Sequence, residues 1–78
     1  MMDFFEAIKA MDDGKIVRMA VNPTHIFKLA KDGCTFVMAD TDMNGIYHED
    51  DWRNAVFYSS HIRGDWAVVE SRPCKVVP

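Results

Sequence analysis

An aspartate and a glutamate three residues apart, Asp3 and Glu6, constrain how this chain begins to fold. An Asp3 carboxylate placed there accepts from the Glu6 amide, which is the signature of a capped helix start. Phe4, Phe5, Ile8 and Met11 then recur at helical spacing and are predicted to share one face. Gly14 suits the position just past a helix end, where φ turns positive. Residues 15–20 read as a strand that runs straight out of this helix. At the far end of the chain, Gly64-Asp65 leads into residues 66–70, a strand that begins at Trp66.

Between these ends the pattern is β-like. Asn22-Pro23 is predicted to close the first strand. Residues 25–30 and 34–39 form two more, joined by a short hairpin turn at Lys31-Asp32-Gly33. Residues 45–48 read as a short strand, and residues 49–54 as either one helical turn or a loop. Residues 55–60 and 66–70 complete the set. Residues 74–77, between Pro73 and Pro78, are a candidate edge strand. The expected fold is α+β, with one N-terminal helix packed on an antiparallel sheet of four to six strands.

Seventy-eight residues make one domain, 1–78. An apolar share of 49% suits a globular fold and is too high for a disordered one. Six methionines and nine aromatics are more than one small core easily hides, which favours an oligomer or a binding surface. The net charge of −3 is local in origin. Asp40, Asp42, Glu49, Asp50 and Asp51 supply five of the twelve acids, and without them the balance turns basic. No basic stripe marks a duplex nucleic-acid partner. No apolar run approaches the roughly 20 residues of a membrane helix. Asp3 and Glu6 stand where a secretion signal would be basic, so the expected location is the cytoplasm. Cys34 and Cys74 lack CxxC spacing and read as free thiols.

The sharpest local motif is Asp40-Thr41-Asp42-Met43-Asn44-Gly45, which matches the first half of a calcium loop. Its twelfth position holds Asp51 where that loop needs a bidentate Glu, and the preceding residues are β-like. The motif is therefore read as a turn built from residues that tolerate turn geometry. His25, His48 and His61 show no ligand spacing, so no metal is assigned. Ser60 and His61 are adjacent, and in a strand their side chains point to opposite faces. No nucleophile–base couple and no phosphate loop emerge, so no catalytic residue and no cofactor is assigned. Trp52 sits in the acidic stretch 49–54. It either plugs the edge of the core or offers a ring to a ligand.

Phe5-Glu6-Ala7, Ala10, Gly14-Lys15, Val17 and Arg18, together with Asp65-Trp66 and Val68-Val69, resemble a Thoeris anti-defence family of small phage proteins, the second so named. The matching residues span about a third of the chain. The resemblance implies a sponge, not an enzyme. Such proteins assemble as homo-oligomers and hold a cyclic ADP-ribose signal, or cyclic oligonucleotides, between subunits without degrading it. The setting implied is the cytoplasm of an infected bacterial host, and the assembly a dimer or tetramer. The family carries a Trp a few residues after the Gly-Lys-x-Val strand, whereas this chain has Val21-Asn22-Pro23 there.

A site for an anionic cyclic nucleotide is expected at Arg18, Asn22, Phe27, Trp52, Ser60 and His61. Arg18 would pair with phosphate. Asn22 would read a base or ribose edge. Phe27 or Trp52 would supply the missing stacking ring, and Ser60 and His61 further polar contacts. The competing expectation is an inhibitor that docks a host protein through the acidic surface of residues 40–51.

Overall fold

The computed structural model describes residues 1–42 and 44–69, and the backbone of 72–73. The first helix, α1 (Phe4–Asp12), starts where the cap requires. The Glu6 amide donates to Asp3 Oδ1 at 2.8 Å, and the Asp3 amide donates to Glu6 Oε1 at 3.3 Å. At the other end the Gly14 amide donates to the Met11 carbonyl and the Lys15 amide to the Ala10 carbonyl. That exit needs a left-handed residue, and Gly14 supplies it at φ +87°. Ala7, Ala10 and Met11 are buried, with Phe4 and Ile8 packed beside them. Phe5 does not share this face, contrary to expectation, and is 77% exposed. One residue is 100° of helix, so a stripe centred on Ala7 and Met11 includes Phe4 and leaves out Phe5.

Five strands form the main sheet: β1 (Ile16–Met19), β2 (Asn22–Leu29), β3 (Phe36–Asp40), β5 (Arg53–Asn54) and β6 (Trp66–Val69), with β4 (Ile46–Tyr47) lying outside it. Their order is β5-β3-β2-β1-β6, and every pairing is antiparallel. This is the α+β arrangement expected. Beyond β6, Met2 exchanges two backbone hydrogen bonds with Trp66, so the N-terminal segment joins the sheet at that edge. β4 pairs in parallel with β7 (Arg72–Pro73) as a separate two-stranded piece. The expected strand at 74–77, along with Cys74, lies outside the described residues.

Two local expectations are corrected. Asn22 and Pro23 open β2 instead of closing β1, because the chain turns earlier, at Ala20 and Val21. The β1–β2 register then shifts between the pairs Met19/Asn22 and Val17/Phe27. Pro23 has no amide to give the ladder, and an irregular pairing tolerates it. The second correction is residues 55–60, which are not a strand. The Ala55 amide still reaches the Phe36 carbonyl, after which residues 56–58 run on outside the sheet. Ala55 and Phe57 turn inward while Val56 and Tyr58 face out, so the alternation is real but the pairing is not. Ser59–Arg63 then forms a short helix, α2. It ends at Gly64, where a side chain would collide with Met19.

The sheet separates two apolar clusters. On one face Val17, Met19, Phe27 and Trp66 meet Ala7, Ala10 and Met11 of α1. Trp66 is fully buried, against the rings of Phe4, Phe27 and Phe57. On the other face Ile26, Ala39 and Tyr47 form a smaller cluster, with Ile16, Trp52 and Val69 packed around it. Replacing Asp3 with Ala is expected to destabilise the protein by about 1 kcal/mol through loss of the cap. A chemical-denaturation midpoint that stays unchanged would show that α1 does not depend on Asp3.

Candidate functional site

Among the described residues the face of the sheet opposite α1 carries no α-helix, and this helix-free face holds two cations, Arg18 and Lys28. β1 alternates, so Val17 and Met19 enter the main core and Arg18 projects to the opposite side. β2 does the same: Phe27 and Leu29 belong to the main core, and Lys28 between them faces away. Lys28 Nζ lies 4.2 Å from the centroid of the Trp52 ring. Trp52 in turn meets Tyr47 edge-on at 5.1 Å. Burial, with Glu49 nearby, raises the pKa of the Tyr47 hydroxyl above its usual value. The Trp52 indole N–H is buried and meets no acceptor among the described residues. Arg18 is half-buried, and its guanidinium donates to the Met19 carbonyl at 3.4 Å. Arg18, Lys28 and Trp52 thus share one face, with Trp52 packed on the Ile26–Ala39–Tyr47 cluster.

A polar chain occupies one end of the sheet. The Asn22 side-chain Nδ2 lies 2.6 Å from His25 Nδ1, and Thr24 Oγ1 donates to Asn22 Oδ1. His25 Nε2 is 3.1 Å from Asp40 Oδ1, which also accepts from Arg53 at 3.3 Å. Asp51 Oδ2 accepts from the Asp40 amide. Asp42 Oδ1 accepts from the amides of Asn44 and Ile46. Much of the calcium-like motif is therefore engaged by donors of the chain itself, as a turn requires. Among the described residues no group of three His, Cys, Asp or Glu side chains is placed to hold a metal ion.

The remaining expected site residues lie on the helical side. Phe27 is 1% exposed and enclosed by Phe57, His61 and Trp66. Its ring has no open face within the protomer, which removes it as a stacking platform. Ser60 and His61 stand on α2, so the strand geometry expected for them does not apply. Ser60 is exposed, and His61 packs on the main core. The Tyr58 amide donates to His61 Nδ1 at 2.8 Å, and the His61 carbonyl accepts from the Trp66 indole at 2.8 Å. His61 therefore helps hold α2 in place.

The six expected residues do not converge within one protomer. Arg18 and Trp52 share the helix-free face, Asn22 belongs to the polar chain, and Phe27, Ser60 and His61 lie with the helices. Lys28 was missed, although one signal marked it: it is the single charged residue in the run Ile26-Phe27-Lys28-Leu29. In comparisons with known proteins, no family model, no curated protein and no solved structure matches this chain.

Burial, and secondarily the charge of nearby His25, lowers the pKa of His61 below the usual 6.5. A depressed histidine pKa means the unfolded chain binds the proton more readily, so stability rises with pH across this window. The contribution of His61 is complete above pH 6.5 and is lost as the pH falls through its lower folded value. Thermal melts from pH 7.5 to 5 are expected to show a steeper loss for wild type than for His61→Gln. Parallel curves would show that another group carries the acid sensitivity.

Proposed function

We propose that this protein is a binding protein that sequesters an anionic cyclic nucleotide without degrading it, as a phage anti-defence sponge acting in the cytoplasm of an infected bacterium. The observation that carries this reading is the Lys28 ammonium over the Trp52 ring, with Arg18 projecting from the neighbouring strand to the same side of the sheet. Guanidinium and ammonium groups suit phosphate, and an indole suits a base. The family resemblance of the two chain ends supports the same reading.

Assembly into a dimer or tetramer is part of the proposal. Phe5, Tyr58 and Ile62 are 77%, 65% and 54% exposed, a large apolar display for a chain of 78 residues. Because Asn22, Ser60 and His61 lie away from Trp52, their part in the site requires a second copy. The competing reading, an inhibitor docking through its acidic surface, has less support. Asp40, Asp42 and Asp51 already accept hydrogen bonds from the chain's own donors.

Native mass spectrometry with cyclic ADP-ribose isomers and cyclic di- and trinucleotides tests the proposal. Wild type is expected to retain one of them at micromolar concentration and to return it with unchanged mass on denaturation. Arg18→Ala and Trp52→Ala are each expected to weaken retention by tenfold or more, on the order of 1.4 kcal/mol. If wild type retains none, the sponge reading fails and docking to a host protein takes its place. A returned ligand of altered mass would replace sequestration with turnover.

A further inference from the structure

Lys28 covers the aromatic ring that the nucleotide site needs. Its ammonium stands 4.2 Å from the Trp52 ring centroid, while Tyr47 approaches the same indole edge-on with an interplanar angle of 71°. The position follows from the strand. Phe27 and Leu29 commit their side chains to the main core, so Lys28 is directed onto the helix-free face, where Trp52 lies. Among the described residues Lys28 forms no ion pair with a carboxylate. Its partner is therefore the ring. An ammonium over an indole at a partly exposed site is a weak, non-covalent contact. A phosphate is a stronger partner, because both members of that pair are charged and hydrogen-bonded. The four-carbon lysine stem lets the head group move without moving the strand.

We propose that Lys28 is a displaceable plug that sets ligand specificity: in the empty protein it occupies the Trp52 ring, and a ligand must carry a phosphate to draw it away and a base to take its place. The proposal rests on the nucleotide-binding reading and deepens it. A neutral nucleoside meets a covered ring. Inorganic pyrophosphate engages Lys28, with Arg18 on the neighbouring strand of the same face, but has no base to stack. A cyclic nucleotide with a diphosphate does both. One side chain thereby selects for charge and aromaticity together.

The test uses the intact protein, its Lys28→Met and Lys28→Arg variants, and three probes: adenosine, inorganic pyrophosphate and cyclic ADP-ribose. The indole N–H resonance of Trp52, assigned with Trp52→Phe, reports on the ring, and the buried Trp66 resonance serves as the folding control. Three results are expected. Lys28→Met shifts the Trp52 resonance in the empty protein and leaves Trp66 in place. Pyrophosphate moves the Trp52 resonance of wild type in the same direction and does nothing to Lys28→Met. Cyclic ADP-ribose binds Lys28→Met about tenfold more weakly than wild type, adenosine binds it more tightly, and Lys28→Arg restores the wild-type order. Equal binding of cyclic ADP-ribose by wild type and Lys28→Met would overturn the plug while leaving the nucleotide site standing. A Trp52 resonance indifferent to both Lys28→Met and pyrophosphate would also overturn it. If wild type binds no cyclic nucleotide at all, the nucleotide reading and the plug fall together.

Discussion

The burial of Trp66 is the constraint on which the rest of this structure depends. Its ring is fully enclosed, its backbone exchanges two hydrogen bonds with Met2, and its indole donates to the His61 carbonyl. One residue thus ties the N-terminal segment, the edge of the sheet and α2 to a single point. A core of so few residues has little redundancy. Phe4, Phe27 and Phe57 all pack against this one indole, with ring centroids 5.3 to 6.2 Å away. Removing it would open a cavity that three other rings line.

Placing α1 and α2 on the Trp66 side leaves the other face of the sheet without α-helical cover among the described residues. Strand alternation then has a chemical consequence. Residues that flank the main-core positions of β1 and β2 must project to the helix-free face, and two of them are Arg18 and Lys28. Lys28 reaches over Trp52, which packs on the cluster of Ile26, Ala39 and Tyr47, so a long cationic side chain borders an apolar floor. Trp52 and Tyr47 complete that floor from outside the regular strands of the main sheet. A surface with an aromatic and aliphatic base and cationic edges is suited to a flat, anionic molecule.

What could be read from the chain alone was what short-range physics decides. Asp3, Glu6 and Gly14 specify α1 within one turn at each end, and the cap and exit lie where those residues put them. Alternation likewise revealed β1, β3 and β6. The exposed Phe5 shows the limit of that logic, since helical spacing does not say where the buried stripe is centred. Residues 55–58 show another. They alternate in burial as a strand does, yet pairing depends on whether a neighbouring edge is within reach, and only Ala55 reaches β3. The candidate site was half legible. Arg18 and Trp52 share a face, but whether an aromatic is covered depends on the sheet order, which enclosed Phe27 and left Trp52 beneath Lys28.

The same placements bear on the kind of chemistry this surface supports. Both ring nitrogens of His25 are engaged, one by Asn22 and one by Asp40. His61 uses Nδ1 to accept from the Tyr58 amide, and its ring packs on the core. Asp42 accepts from amides of its own turn, Asp40 from Arg53 of the neighbouring strand, and Asp51 from the Asp40 amide. A general acid or base must be able to exchange a proton with a reacting group, and each of these is held by a structural partner. Arg18 and Lys28 differ. One donates weakly to a neighbouring carbonyl and the other rests on a ring, so neither is tied to a carboxylate among the described residues. His25, His61, Asp40, Asp42 and Asp51 are thus held within the fold, whereas Arg18 and Lys28 are not tied to a carboxylate among the described residues.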